Sequence, residues 1–248
     1  MPKFFLPFRA DCTDYSVGDI IEISGADALH ISKTLRMKVG EKITVTDSKA
    51  LDYFTVIDSF SDGSVWLKVE SVEKSSVESD KKISLFQALI KNDKMDTVIQ
   101  KAVELGVTDI YPVAALRSVM KLDKSNEAKK LERWNKIALE ASKQCGRGVV
   151  PKVHSVKDMK ECATLLGECD IKFYCYELEE KTSLKDAIKN KDFNSLGFYI
   201  GPEGGISDSE KELFDNEGVL SVTLGKLILR TETAGMAVLS MLLYETRL

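Results

Sequence analysis

The sequence has few of the residues that build metal centres and disulfide frameworks. Its 248 residues include five cysteines, none of them in a Cys-x-x-Cys pair, and only two histidines, His30 and His154. A structural zinc site needs four such ligands, most of them closely spaced. We therefore expect no metal site, and we expect reduced thiols in a reducing compartment.

Long hydrophobic runs are also missing. The longest nearly unbroken apolar run, residues 234–244, is far shorter than the roughly 20 residues that span a bilayer. The start, Met1-Pro2-Lys3-Phe4, lacks the basic, apolar and small-residue regions of a signal peptide. The sequence thus predicts a cytoplasmic protein without a membrane segment.

Common phosphate-binding motifs are absent as well. No Gly-x-Gly-x-x-Gly follows a predicted strand, and Lys226 is followed by Leu227 where a P-loop needs serine or threonine. Generic nucleotide motifs therefore do not account for the glycine clusters near the C-terminus.

The net charge of −4 conceals an uneven distribution along the chain. Residues 81–160 carry 17 basic and 9 acidic side chains, whereas residues 161–248 carry 9 basic and 16 acidic ones. Binding to a polyanion depends on the local patch, so this segment permits contact with RNA. A lysine-rich, solvated helix face explains the same excess equally well.

Residues 1–70 alternate or are β-branched in four short runs separated by glycine turns, a pattern that predicts a small β-barrel. The runs are Ile20–Ile23, Lys42–Thr46, Tyr53–Phe60 and Val65–Val69, with one helix expected from Ala26 to Met37. Residues from Ser71 to Lys82 are rich in Ser, Glu and Lys and indicate a linker. We expect a first domain at 1–72, a linker at 73–82 and a second domain at 83–248.

The second domain alternates predicted strands with predicted helices, which indicates an α/β fold with a mainly parallel sheet covered on both faces. Strands are expected at Ile83–Ile90, Asp109–Ala115, Ile171–Tyr176, Leu196–Ile200 and Val219–Leu224. Helices are expected at Lys94–Leu105, Asn126–Cys145, Val156–Leu166, Leu184–Asn190, Ser207–Asn216 and Thr231–Glu245.

Two glycine-bearing turns follow the last two predicted strands. The first, Gly201-Pro202-Glu203-Gly204-Gly205, precedes a Ser207-x-x-Glu210 capping box, and the second runs from Leu224 to Thr233. Clustered glycines indicate backbone at positive φ or in close contact with another group. A strand, a glycine turn and a helix start in succession are typical of a ligand-binding edge.

The sequence of these turns resembles a known family. Ile200-Gly-Pro-Glu-Gly-Gly-Ile-Ser207, followed by Leu224-Gly-x-x-Ile-Leu-Arg-Thr-Glu-Thr-Ala234, is similar to the signature of the SPOUT superfamily of RNA methyltransferases and, within it, of the RsmE family. Three further segments resemble that family: His30–Met37, Lys91–Gly106 and Glu140–Arg147. The N-terminus departs from the family pattern, because Lys3 precedes Phe4-Phe5 and Arg9 lies further on.

The resemblance implies a SPOUT-type, trefoil-knotted, mainly parallel sheet domain preceded by a PUA-like β-barrel that binds RNA. It implies a homodimer that transfers a methyl group from S-adenosyl-L-methionine to N3 of a uridine in 16S rRNA, within or outside the small ribosomal subunit. The catalytic candidates are Arg230, which would stabilise negative charge on the uracil, and Glu203, which would orient the loop or contact the cofactor. The RNA-binding candidates are Arg36, Lys94 and Arg147. The cofactor-binding candidates are Tyr176, Glu177, Ile200, Gly201, Gly204, Gly205, Leu224, Gly225, Leu229 and Thr233.

Other interpretations of these residues stay open. Glu203 and Arg230 could form a structural ion pair between the turns, and Thr231 is first of all a helix N-cap candidate. Lys94 could belong to a helix stabilised by local charge pairs, and Cys145 is more typical of a small buried residue than of a nucleophile. At the level of the whole protein, the rivals are a SPOUT methylase acting on a ribose 2′-oxygen or on tRNA, and a noncatalytic RNA-binding ribosome-assembly factor.

Overall fold

A computed structural model describes residues 2–6, 14–48, 50–120, 124–189 and 191–246. Arg9 and Cys12 lie outside the described residues, as does Asn190, the predicted end of one helix. The chain divides into two compact units. Unit 1 comprises Met1–Glu78 and Ser142–Val150, and unit 2 comprises Ser79–Ala141 and Pro151–Leu248.

Unit 1 is built on a five-stranded mixed sheet. Its strands are β1 (Lys3–Phe5), β2 (Ile20–Ile23), β3 (Lys42–Thr46), β4 (Leu51–Ser61) and β5 (Ser64–Lys74), in the order β1-β3-β4-β5-β2. Strand β1 pairs with β3 in parallel and the other pairs are antiparallel. The alternating runs predicted β2 to β5, whereas β1 has only three residues and was not predicted. The core of the unit includes Ile21, Ile43, Val45, Tyr53 and Leu67.

Two predictions for unit 1 need correction. The expected helix from Ala26 to Met37 is shorter, because α1 (Gly25–Leu29) passes into a single π-helical turn (His30–Thr34). Arg36 then adopts a left-handed conformation with φ of +53°, which ends the helical run. The expected linker is also shorter, since β5 continues to Lys74 and pairs there with Leu51.

The segment Ser142–Val150 returns to unit 1, which the sequence did not predict. Glu78 accepts hydrogen bonds from the Arg147 guanidinium at 2.8 Å and from the backbone N–H groups of Gly148 and Val149. The hydroxyl of Thr46 in β3 donates to the carbonyl oxygen of Gly148 at 3.0 Å. Buried, directional contacts of this kind attach the segment to the sheet.

Unit 2 contains a seven-stranded sheet in which every pair is parallel, as predicted. The strands are β6 (Lys82–Ala88), β7 (Asp109–Ala114), β8 (Lys152–Val153), β9 (Lys157–Asp158), β10 (Ile171–Cys175), β11 (Ser195–Ile200) and β12 (Leu220–Val222). Their order is β12-β10-β11-β6-β7-β8, and β9 also pairs with β7. The two-residue strands β8 and β9 are too short for a periodicity argument to find.

Six helices of unit 2 match the predicted ones. They are α2 (Asn92–Glu104), α3 (Lys124–Cys145, whose last turn belongs to unit 1), α4 (Met159–Gly167), α5 (Leu184–Ile188), α6 (Asp208–Asn216) and α7 (Thr231–Thr246). The predicted capping box at Ser207 and Glu210 is present. Helix α4 begins three residues later than predicted, because Asp158 ends β9 and caps the helix.

The helices cover both faces of this sheet. Successive strand residues point to opposite faces. Phe86 of β6 packs with Leu166 of α4 and Phe214 of α6, whereas its neighbours Leu85 and Gln87 lie against Gly235 of α7. This arrangement confirms the predicted architecture, and it leaves the carboxyl ends of the strands as the open edge of the unit.

Candidate active site

The candidate site lies at the carboxyl ends of three neighbouring strands, β12, β10 and β11. In open parallel sheets, ligands bind in the crevice outside these ends. Each strand is followed by a turn: the β10 turn (residues 176–183), the β11 turn (residues 201–206) and the β12 turn (residues 223–230). The three turns line one cavity of about 1130 Å³.

Most of the predicted site residues line this cavity. They are Lys94, Tyr176, Glu177, Ile200, Gly201, Glu203, Gly205, Leu224, Gly225, Leu229 and Arg230. Gly204 and Thr233 are exposed and do not line the cavity. The two glycine turns are therefore neighbours in space, while the role of each residue stays a prediction.

The glycines of the β11 turn are required by close neighbours. A Cβ on Gly201 would lie 3.0 Å from Cγ1 of Ile206, which is a tight contact. Gly205 has φ of +72°, and a Cβ there would lie 2.9 Å from Oε1 of Glu177. Main chain at these two positions is exposed to the cavity because no side chain intervenes.

Arg117 supports the β11 turn from behind, and sequence reasoning missed it. Its guanidinium Nη1 donates to the carbonyl oxygen of Gly204 at 3.1 Å, and a Cβ on Gly204 would lie 2.9 Å from Cβ of Arg117. Next to it, the backbone N–H of Leu116 donates to Oε1 of Glu210 at 2.8 Å. The β11 turn is thus held between the end of β7 and the start of α6.

The β12 turn is more open. Gly225 has φ of +114°, and nothing lies within 4 Å of the position that its Cβ would take. Leu227 and Ile228 are 80% and 83% exposed. The turn ends at Arg230, whose side chain is exposed and lines the cavity, and whose carbonyl oxygen accepts from two N–H groups of the first turn of α7.

A partly buried hydrogen bond joins the two glycine turns. The hydroxyl of Thr231, the first residue of α7, donates to the carbonyl oxygen of Gly201 at 2.7 Å and accepts from Nε2 of Gln87 at 3.0 Å. The N-cap interpretation of Thr231 is therefore wrong, since its side chain bonds across the sheet edge and not to its own helix.

An ion-pair cluster joins the same turns at the rim. Nζ of Lys94 lies 3.3 Å from Oε1 of Glu203 and 3.1 Å from Oε1 of Glu232. The partner of Glu203 is thus Lys94, and not Arg230 as the structural alternative supposed. Lys101 and Glu104 form a local charge pair on α2. Lys94 faces the cavity, and its contact with RNA stays a prediction.

The charges of this cluster are mutually stabilised. Hydrogen bonds to Glu232 and then to Glu203 raise the pKa of Lys94. Burial acts to raise the pKa of Glu232, but hydrogen bonds from its own backbone N–H and from Lys94 outweigh burial and hold that pKa below its ordinary value. Lys94 and Glu232 therefore remain charged near neutral pH.

The charges around the cavity are divided between its walls. The β10 turn contributes the carboxylates Glu177, Glu179 and Glu180. The backbone N–H groups of Lys181 and Thr182 lower the pKa of Glu179, so that it stays ionised. Lys226 and Arg230 lie on the β12 turn. The β10 turn can therefore bind the cationic end of a ligand, and the β12 turn can bind an anionic substrate.

The two other RNA-binding candidates lie in unit 1, in contrasting surroundings. Arg36 is exposed and lies two residues after the end of the π-helical turn. The side chain of Arg147 is only 8% exposed and pairs with Glu78. Burial opposes ionisation of Glu78, but the hydrogen bond and charge of Arg147 outweigh it, so the pKa of Glu78 lies below its ordinary value. This placement gives Arg147 a structural role within unit 1.

The structure also defines the surroundings of three residues for which the sequence indicated no role or a wrong one. Lys3 pairs with Asp52 at 2.8 Å within unit 1. His154, to which the sequence assigned no role, bonds Asp109 through Nε2 at 2.7 Å and stacks on Tyr111. Cys145 is exposed at the end of α3, so its interpretation as a buried residue is wrong.

Two other features are absent from the described part of the chain. No helix there is long and apolar enough to cross a membrane. Nor do its His, Cys, Asp and Glu side chains form a group of three or more that could hold a metal ion.

Comparison with known proteins gives consistent results. Residues 77–243 match the family described as the RNA methyltransferase domain. The ribosomal RNA small subunit methyltransferase E of Bacillus subtilis (strain 168) is 34% identical over 231 residues, which cover 91% of this chain and 90% of that protein. The crystal structure of a ribosomal RNA small subunit methyltransferase E from Neisseria gonorrhoeae, bound to S-adenosyl methionine, is 31% identical with a TM-score of 0.86 and covers 98% of this chain and 97% of its own. A methyltransferase from Legionella pneumophila in complex with bound SAM is also 31% identical, with a TM-score of 0.83 and coverage of 98% and 96%.

Proposed function

This chain belongs to the RNA methyltransferase family that includes the ribosomal RNA small subunit methyltransferases E, and we propose that it methylates N3 of a uridine in 16S rRNA with S-adenosyl-L-methionine as donor. The observation that carries the proposal is the single cavity formed by both glycine turns at the carboxyl ends of β10, β11 and β12. Support also comes from related structures with bound S-adenosylmethionine.

The residues of the cavity fit this cofactor. Main-chain N–H and C=O groups can approach an adenine or a ribose only where no Cβ intervenes, and added Cβ atoms at Gly201 and Gly205 would crowd Ile206 and Glu177. The apolar side chains of Ile200, Leu224 and Leu229 line the cavity and can make van der Waals contacts with the face of a base. Carboxylates on the β10 turn suit the positive charges of the ligand.

When bound, S-adenosylmethionine supplies a methyl group activated by its sulfonium. The protein must hold the acceptor in line with that group. Uridine N3 carries a proton and becomes nucleophilic only when this proton passes to solvent water, and a nearby cation that stabilises the resulting anion lowers the barrier. Arg230 on the β12 turn is positioned at the cavity to stabilise the resulting negative charge on the uracil. Glu203, held by Lys94, orients the rim of the β11 turn.

Binding of the RNA is assigned to both units. We propose that unit 1 is a PUA-like barrel whose exposed Arg36 contacts a phosphate, since a guanidinium can form bidentate bonds to phosphate oxygens. Lys94 would contribute at the cavity rim. We further propose that unit 2 carries the knot typical of SPOUT domains and that the protein forms a homodimer. It would act in the cytoplasm, on rRNA or on the small ribosomal subunit.

Gly235, a small residue in the first turns of α7, packs within its own chain and does not indicate a dimer contact. A Cβ on Gly235 would lie 3.7 Å from Gln87 and 3.8 Å from Ile200, so this position packs on the sheet of its own chain. Exposed apolar side chains such as Leu227, Ile228 and Tyr244 remain available to a second copy. Sedimentation of the purified protein tests the assembly, and a monomer at working concentration would contradict it.

Calorimetry with S-adenosylmethionine provides the first test of the function. Methyl transfer from labelled cofactor to 16S rRNA, to assembled small subunits and to tRNA then identifies the substrate, and mass mapping of the digested nucleosides identifies the methylated atom. We expect binding heat and N3-methyluridine. A product methylated on the ribose or found in tRNA would support the rival methylases, and an absence of binding heat would support a noncatalytic RNA-binding factor.

A further inference from the structure

A fully buried glutamine occupies the junction of the two glycine turns. Gln87 lies near the carboxyl end of β6, where it pairs with Ile200 of β11 and Pro112 of β7, and its exposed fraction is 0%. Its strand neighbours Phe86 and Ala88 are buried and apolar. A polar side chain in such surroundings is unusual unless its hydrogen bonds are needed.

The hydrogen bonds of Gln87 have a fixed direction. Its amide nitrogen Nε2 lies 3.2 Å from the carbonyl oxygen of Ala88, which can only accept, and 3.0 Å from Oγ1 of Thr231. Because the hydroxyl of Thr231 accepts from Gln87, its single proton is free to be donated to the carbonyl oxygen of Gly201 at 2.7 Å. Gln87, Thr231 and Gly201 thus form a polarised relay.

One buried acceptor of this hydrogen-bond relay is unpaired within the described part of the chain, which lowers the stability of the folded protein. The amide oxygen Oε1 of Gln87 is buried and has no hydrogen-bond partner among the described residues. Leaving a buried acceptor unpaired is costly. An apolar side chain of similar length would avoid that cost, which indicates that the amide serves a purpose other than folding.

The position of the relay suggests that purpose. Gly201 is the first residue of the β11 turn, and Thr231 directly follows the β12 turn. Both residues line the cavity. By fixing the hydroxyl of Thr231, the buried amide sets the orientation of the Gly201 peptide and the distance between the two turns.

We propose that Gln87 is a positioning residue for cofactor binding, acting through Thr231 on the Gly201 peptide. The proposal rests on the proposed function, because it assigns the relay to the cavity that would hold S-adenosylmethionine. Gln87 itself touches neither the cofactor nor the RNA.

The test uses Gln87→Met, Thr231→Val and the double variant in the full chain. Three quantities are measured: the melting temperature, the calorimetric affinity for S-adenosylmethionine, and amide hydrogen exchange of residues 201–206 in the ligand-free protein. We expect Gln87→Met to melt no lower than the unmodified protein, to bind the cofactor roughly tenfold more weakly and to exchange faster in the β11 turn. Since the two residues act in series, the double variant should bind no more than about twofold more weakly than either single variant.

Two controls separate positioning from general stability. Thr231→Ser keeps the hydroxyl and should recover most of the affinity that Thr231→Val loses. Thr55→Val in unit 1 removes another buried threonine, whose hydroxyl donates to the carbonyl oxygen of Ile43 at 2.8 Å. This control should lower the melting temperature and leave the cofactor affinity unchanged.

Unchanged affinity and exchange in Gln87→Met would overturn the proposal, and so would fully additive losses in the double variant. If the unmodified protein did not bind S-adenosylmethionine at all, the proposed function would fail instead. The exchange measurement in the ligand-free protein would then still decide whether Gln87 controls the β11 turn.

Discussion

The β11 and β12 turns face each other across one cavity but are built differently. Added Cβ atoms in the β11 turn would meet Ile206, Arg117 and Glu177 within about 3 Å, so that turn is tightly packed. In the β12 turn, Gly225 has no neighbour within 4 Å and Leu227 and Ile228 point into solvent. The wall formed by the β11 turn is therefore fixed by packing, whereas the wall formed by the β12 turn exposes side chains.

This difference suggests a division of labour. A tightly packed glycine turn offers main-chain groups in a preformed geometry, which reduces the entropic cost of binding a small ligand. An open turn can carry side chains that act on the substrate, and Arg230 lies at its end. Substitutions in the β11 turn should therefore change stability and cofactor affinity, whereas substitution of Arg230 at the end of the β12 turn should mainly change turnover.

The largest effect is expected for Arg230→Ala. If the guanidinium stabilises negative charge on the uracil, its removal should lower kcat about 100-fold. The affinity for S-adenosylmethionine should change far less, because the cofactor is held mainly by main chain. Single-turnover methylation of rRNA and calorimetry measure the two effects. Arg230→Lys, which keeps the charge, should recover part of the rate, and an unchanged rate in Arg230→Ala would exclude the residue from the mechanism.

The next largest effect is expected for Gly204→Ala. The new Cβ would lie 2.9 Å from Cβ of Arg117 and 3.2 Å from its carbonyl oxygen, neither of which can move freely. Such overpacking should reduce the free energy of unfolding by about 1–3 kcal/mol, measured with urea.

Gly225→Ala is the matched control on the open turn. It meets no neighbour, so its cost is limited to the backbone strain at φ of +114°. If Gly225→Ala lowered the free energy of unfolding and the cofactor affinity as much as Gly204→Ala does, the contrast between the turns would be contradicted.

The sequence was informative where structure depends on local pattern. Apolar runs located β10, β11 and β12, the last two of which end at a glycine turn, and the capping box located α6 within one residue. Because carboxyl ends of neighbouring parallel strands share one edge of a sheet, the turns that follow them were bound to meet once those strands were adjacent.

The contacts that join the turns could not be predicted in this way. Gln87 and Thr231 are 144 residues apart, Lys94 and Glu203 are 109 apart, and Arg117 and Gly204 are 87 apart. No periodicity or motif links such pairs, since only the strand order brings them together. The return of residues 142–150 to unit 1 was missed for the same reason.

A smaller effect is expected for Lys94→Met, which removes the ion-pair cluster between the turns at the rim. Exposed ion pairs contribute little, so the loss of stability should be less than that of Gly204→Ala. The raised pKa of Lys94 and the lowered pKa of Glu232 determine its pH dependence. Unfolding in urea at several pH values measures the difference between the variant and the unmodified protein.

The sign of that dependence follows from the two shifts. The contribution of Glu232 is present above its ordinary pKa of 4.5 and is lost as the pH falls through its lowered value. The contribution of Lys94 is present below 10.5 and is lost as the pH rises through its raised value. The difference in the free energy of unfolding between the unmodified protein and Lys94→Met should thus be constant from about pH 5 to 10 and become smaller in acid. Lys101→Met on the same helix breaks only the pair with Glu104 and should leave cofactor affinity unchanged.

The smallest effect is expected for the double change Leu227→Ser and Ile228→Ser. Both side chains are largely exposed in the single chain, so the free energy of unfolding should change by no more than about 0.5 kcal/mol. Leu229→Ser is the control, because Leu229 is half-buried and lines the cavity, and its loss should weaken cofactor binding. If the double variant instead lost as much stability as Gly204→Ala at concentrations where the protein is monomeric, the β12 turn would be packed in solution and the contrast between the two walls would fail.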